Sequence, residues 1–168
     1  MEKFRIVCDG IKDGHFEDKY GKRGICDDKG MAILSPPIKF LNPPVGTKCY
    51  AIVCEDKDAA EVSGFSWIHW LAVNVTHDIE EGASGNNPDF QEGVNSCVSI
   101  QGGKRPINEV SRYGGMAPPN APHEYEIHAY CLDSFLNLEN GFFINQLYRK
   151  MDGHILATDT IKGWYSNR

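Results

Sequence analysis

No stretch of this chain runs far without a glycine or a proline. Seventeen Gly and nine Pro are spread over 168 residues. Long helices are thereby interrupted, and short segments joined by tight turns are what remain. KFRIVC near the start reads as a strand. SPPIKFLNPPVGTK (35–48) sets two Pro-Pro pairs around Ile38, Lys39 and Phe40, which suits an edge strand because proline cannot donate to a ladder. CYAIVCED (49–56) is apolar without alternation and predicts a central strand buried on both faces.

WIHWLAVNV (67–75) predicts another strand, whose period of two puts Trp67, His69, Leu71, Val73 and Val75 on one face. The segment 76–95 is polar and turn-rich, hence a surface loop; VNSCVSI after it reads as a short strand, and 101–122 as a second long loop. HEYEIHAYCLD (123–133) alternates, grouping His123, Tyr125, Ile127, Ala129 and Cys131. One helix is expected near 140–152, capped by Asn140, with Phe143, Leu147, Tyr148 and Met151 at helical spacing and Gly153 as its stop. HILATDTIKG returns as a last strand. Neither an internal repeat nor a low-complexity linker is present. The fold class is mainly β, a central sheet packed against a smaller one, with few helices, in a single domain over 1–168.

The formal net charge is −6 and the pI about 5.5, so the surface repels nucleic acid at long range and any anion must be held by local, directed donors. No segment is apolar enough for stable membrane insertion. No export signal is evident at MEKFRIVCDG, so the six cysteines are expected to be reduced and the protein cytoplasmic. There is no Cys-x-x-Cys pair; Cys49, Cys54 and Cys131 lie in apolar runs, where they serve as small hydrophobes.

Two loops of about twenty residues are long for a compact domain, and such loops tend to carry function. Each adjoins a strand that carries a histidine near its end. Asp56 and Asp58 follow the strand 49–54; His69 sits in WIHW; His123 and Tyr125 follow the turn-rich YGGMAPPNAP. A carboxylate on one ring nitrogen fixes a histidine's tautomer and aims the other nitrogen outward. Two such rings, with backbone N–H groups from a glycine-rich turn held stiff by Pro118 and Pro119, suit a phosphate or carboxylate. Each part also has an ordinary structural reading. His69 fits a hydrogen-bonded core histidine, Asp56 and Asp58 a strand end, Tyr125 a core aromatic, and Tyr113 with its two glycines a plain turn. On residues alone, the chain is a β domain with a polar pocket.

The blocks EDKDAA (55–60), WIHWLAVNV and YGGMAPPNAPHEY (113–125), in that order, resemble the phosphatidylethanolamine-binding protein family, which includes Raf kinase inhibitor proteins and plant flowering-control proteins. SPPIKFLNPPVGTKCYAIV and MDGHILATDTIKGWY extend the likeness over nearly the whole chain, toward the bacterial and archaeal branch. The resemblance implies a shallow pocket for phosphate-like groups, including phospholipid headgroups. Asp56 then orients a ring, and His69 and His123 are donors. Tyr125 supplies a hydroxyl, Gly115 and Ala117 turn backbone, and Trp67 an apolar wall; Asp58, Tyr113 and Pro118 complete the candidate set. The chain departs from the family pattern at Lys57 and Ala60 (both prolines of the acidic loop), at Ala117 (often glycine) and at Glu124 (usually arginine in eukaryotes). Phe65 is placed to fill the space of a eukaryotic pocket tyrosine.

The function this implies is non-catalytic binding of a phosphate, phosphoethanolamine-like or carboxylate small molecule. A kinase, a serine protease or a second copy of the chain are the protein partners to consider, with no cofactor and no metal. Two other classes stay open. A hydrolase would use the Asp56/His69/His123 set, but its nucleophile candidates are poor: strand parity turns Ser66 away from His69, and Cys97 lacks a helix N-terminus. A metal site would use the same three residues as a two-histidine, one-carboxylate triad.

Overall fold

In the computed structural model, which describes residues 1–168, the strands bend into one large sheet with a small one beside it. The nine strands are β1 (Arg5–Val7), β2 (Ile11–Lys12), β3 (His15–Phe16), β4 (Lys39–Leu41), β5 (Cys49–Asp56), β6 (Trp67–Val75), β7 (Gln91–Glu92), β8 (His123–Leu132) and β9 (Ile155–Tyr165). Seven form a sheet in the order β2-β3-β9-β8-β5-β6-β7, and β1 pairs with β4 in a two-stranded sheet. As its apolar run predicts, β5 is central, antiparallel to β6 on one side and to β8 on the other. The Pro-flanked 39–41 segment pairs only with β1. The Asp159 carboxylate of β9 accepts from the Ile6 amide at 2.8 Å and so ties the small sheet to the large one.

Alternation on the strands produces two apolar layers. Ile52 and Cys54 of β5 pack with Tyr125, Ile127, Ala129 and Cys131 of β8, and with Phe4, Ile6 and Phe40 from the small sheet. On the opposite face Ala51, Val53, Leu71, Val73 and Leu132 meet Leu147 and Met151 of helix α3 (Ile144–Met151). Two one-turn helices complete the set, α1 (Ala60–Ser63) and α2 (Ile107–Val110). All six cysteines are unpaired, and Cys8, Cys49, Cys54 and Cys131 are buried.

Four local expectations are corrected. Residues 96–98 and 100–102 are 3-10 turns rather than a strand, capped by Asn95 and Ser99 side chains. Helix α3 begins at Ile144 with the Gln146 side chain accepting from the Phe143 amide. Asn140 is drawn away to accept from the Glu92 amide at 2.9 Å. The loop 76–95 is no mere surface excursion, because it contributes β7 and the buried Glu92. That carboxylate accepts from Trp70 Nε1 at 2.9 Å, from the Ser84 hydroxyl and from the Gly85 amide at 3.0 Å.

The fourth correction concerns β6, which does not keep one alternating face. Register slips between the pairs Cys54–Trp70 and Glu55–Ile68 leave His69 as an extra residue, and a second irregularity falls near Asn74, whose φ is +61°. Leu71 and Val73 therefore face α3, while Val75 joins the other layer. An extra residue in one strand re-aims its side chains. Here His69 and the adjacent Trp70 both turn toward β8 and the loop after α2, with His69 edge-on to Tyr125 and Trp70 edge-on to Tyr113.

Candidate functional site

The bulge in β6, the last residue of β5 and the first residues of β8 meet at one end of the sheet. Asp56 ends the central strand, opposite Tyr125 on one neighbour and Trp67 on the other. Its carboxylate has two tasks. One oxygen accepts from the Ala59 amide at 3.2 Å, capping the 3-10 turn 57–59. The other holds His123 Nδ1 at 2.7 Å, with both side chains buried. The acid that orients an imidazole is thus Asp56, and the imidazole is His123.

Gly114 grips His69 from two directions. Its amide donates to the His69 carbonyl at 2.9 Å, and its carbonyl accepts from the His69 ring at Nδ1, 2.6 Å away. The stretch 113–116 is thereby laid along the bulge like an added strand, and Gly115 carries it on by donating to the Ala32 carbonyl at 2.8 Å. The two glycines are required by close packing. A side chain at Gly115 would run into the Tyr20 carbonyl and Ala32, and one at Gly114 into Asn95 and Met31. The expectation that Gly115 offers its backbone N–H to an anion is therefore corrected, because that N–H is committed to Ala32.

Around these groups opens a cleft of about 430 Å³ lined by Asp56, Trp67, His69, Gly115, Ala117, Pro118, His123 and Tyr125 of the predicted set. Its size is within the range of small-molecule sites. Two predicted residues lie elsewhere. Tyr113 is fully buried in the core, its hydroxyl donating to the Tyr20 carbonyl at 2.6 Å. Asp58 sits behind the loop and accepts from the Glu124 amide at 2.8 Å, fixing the start of β8. Phe65 stacks on Trp67 at 5.7 Å and does not enter the cleft. His15, His77, His128 and His154 make local contacts away from it.

Tyr125 is the most telling residue. It is fully buried, its ring lies 5.1 Å from His69 and 6.3 Å from His123, and its hydroxyl, near the Asp56 carboxylate, makes no well-formed hydrogen bond. An orphaned buried hydroxyl costs about 1–3 kcal/mol, and native proteins keep few of them. Burial, with the Asp56 charge adding to it, holds the phenol well above its ordinary value, so it is a donor at any physiological pH. Burial also lowers His69 below the ordinary imidazole value, against the opposing pull of the Gly114 carbonyl and Asp56.

The sequence offered no signal for three further participants. Asn120, in the turn before β8, places its side-chain oxygen 2.8 Å from His123 Nε2. Lys29 and Arg105 reach the rim from distant loops, but both are paired: Arg105 with Asp27 at 2.6 Å, and Lys29 with Glu109 at 2.8 Å. Ser63 and Cys97 are the hydroxyl and thiol residues that line the cleft beside Tyr125. The Ser63 hydroxyl donates to the Ala59 carbonyl at 3.0 Å, and burial raises the Cys97 thiol. The cluster of Glu55, Glu126 and His128 lies on the other face of the sheet, where Lys57 and Lys162 neutralise Glu126.

A curled, mainly antiparallel sheet with an aspartate–histidine pair at its end and a glycine/proline loop closing the cleft defines the class, and comparison with known proteins agrees. The family profile described as phosphatidylethanolamine-binding protein matches residues 10–166. The uncharacterized protein YxkA of Bacillus subtilis is 38% identical over 156 residues, covering 88% of this chain and 92% of its own. A UPF0098 protein of Chlamydia trachomatis is 33% identical over 135 residues, 79% of this chain and 82% of its own. Among solved structures, CT736 of Chlamydia trachomatis, described as a phosphatidylethanolamine-binding protein homologue, superposes with a TM-score of 0.80 at 28% identity, covering 99% of both chains. YbcL of Escherichia coli gives 0.77 at 20% identity, covering 99% of this chain and 100% of its own, a likeness of fold alone. The chain belongs to the phosphatidylethanolamine-binding protein family. No helix is long and apolar enough to cross a membrane.

Proposed function

We propose that the cleft binds a small oxyanion, a phosphate- or carboxylate-bearing molecule of the phospholipid-headgroup kind, and that it binds without transforming it. The observation that carries this reading is the buried Tyr125 hydroxyl, unpartnered between two imidazoles of which one is fixed by a carboxylate. The hydroxyl is itself screened from solvent, and a guest oxygen or a water entering from the cleft would satisfy it. The chain's net charge of −6 supplies no general attraction for anions, so selectivity comes from these directed groups.

A binding role accords with the state of the cleft's nucleophile candidates, since the Ser63 hydroxyl is bonded to backbone and the Cys97 thiol is raised. Histidine side-chain NMR during titration with phosphate and with phosphoethanolamine tests the reading. Resonances of His69 and His123 move together, and those of His77 and His154 stay still. Millimolar phosphate that leaves both cleft histidines unmoved contradicts it.

A further inference from the structure

The two cleft histidines are not equivalent, and the difference restricts what can lie between them. Both nitrogens of His123 face oxygens, Asp56 at 2.7 Å and Asn120 at 2.8 Å. His69 differs. Its Nδ1 faces the Gly114 carbonyl at 2.6 Å, a group that can only accept, so the proton of the neutral ring is fixed there. Nε2 makes no hydrogen bond within the protein, and in the neutral ring it carries a lone pair. Burial favours that neutral ring.

One imidazole thus faces acceptor oxygens and the other presents a lone pair. An anion with oxygens alone satisfies His123 and the Tyr125 hydroxyl but meets His69 lone pair to lone pair. Resting on the reading of the cleft as an oxyanion site, we infer that it narrows that class to oxyanions that still carry a proton, hydrogen phosphate or a phosphomonoester monoanion, over those with no O–H such as sulfate, a carboxylate or a phosphodiester. The anionic oxygens lie toward His123 and Tyr125, and the guest's O–H donates to His69 Nε2. The remaining charges facing the cleft do not offset a wrong match at His69: Asp56 is bonded to His123, and Lys29 and Arg105 are paired at the rim with Glu109 and Asp27. A site that receives an O–H discriminates strongly against an analogue lacking it, because the polar group it leaves unpaired is buried.

Once His69 takes up a proton, Nε2 becomes a donor and the objection to sulfate disappears. The test is calorimetric titration of the whole chain with inorganic phosphate, sulfate and fluorophosphate at pH 7.5 and at pH 5.5. At the higher pH the last two carry no O–H. Phosphate is expected to bind at least about tenfold more tightly than either at pH 7.5. His69→Gln can turn either an N–H or an oxygen to the guest, and should bring sulfate within about threefold of phosphate. Equal affinities of the wild-type chain for phosphate and sulfate at pH 7.5 overturn the inference and leave the oxyanion site standing. Failure of all three anions to bind at either pH overturns both.

Discussion

Replacing Glu92 by alanine probes how the polar loop 76–95 holds the cleft. The carboxylate is only 4% exposed and receives three donors: the Trp70 indole, the Ser84 hydroxyl and the Gly85 amide. Ser84 in turn accepts from the Tyr113 amide at 2.8 Å, one residue before the glycine that grips His69. Alanine strands all three donors in a dry region. Each unsatisfied group costs about 1–3 kcal/mol, and partial relaxation leaves roughly 3–5 kcal/mol in total. Against a typical stability of about 5–15 kcal/mol that is a large fraction. Urea denaturation followed by tryptophan fluorescence reports it directly, because Trp70 is one of the stranded donors. With an m-value of about 2 kcal/mol/M, the midpoint falls by roughly 1.5–2.5 M. A loss below about 1 kcal/mol refutes the argument and means that the carboxylate's burial already costs as much as its bonds return.

Asp56→Asn keeps the cap on Ala59 but replaces the carboxylate that holds His123, and should weaken phosphate binding about 10- to 100-fold in calorimetry, with little loss of stability. Asn120→Ala removes the side chain that competes for His123 Nε2 and should tighten phosphate binding severalfold, read in the same titration. Gly115→Ala drives a methyl group into the Tyr20 carbonyl and should cost about 1–3 kcal/mol by urea denaturation. His69, held below its ordinary value of 6.5 by burial, contributes stability that is complete above that pH. As pH falls below it the unfolded chain takes up a proton the folded chain refuses, so melting temperature drops in wild type and less steeply in His69→Gln.

What could be read from the chain and what could not divide along a physical line. The apolar run at 49–56 and the alternation at 123–132 are local patterns that burial enforces, and both strands stand where those patterns place them. The same rule misplaced the facing of His69 and of Val75, because β6 carries two irregularities, at His69 and near Asn74, each of which shifts the facing of the side chains beyond it and is announced by no residue type. Asp56, His69, His123 and Tyr125 were recognisable as a set through their blocks. Which histidine the aspartate holds was not, since it depends on strand order. Tyr113 and Gly115 look like binding residues in sequence, yet the one is core and the other is glycine for want of room. Glu92, hidden in a polar loop, is buried because Trp70 comes to it from β6 and Ser84 folds back on it from earlier in the same loop.

A crystal of the wild-type protein soaked in phosphoethanolamine addresses the cleft itself. The account predicts phosphate density between the rings of His69 and His123, one oxygen in hydrogen-bonding contact with the Tyr125 hydroxyl and the Asn120 amide displaced from His123. Phosphate bound only at surface lysines, with Asn120 still on His123 and the Tyr125 hydroxyl still unpartnered, would contradict it.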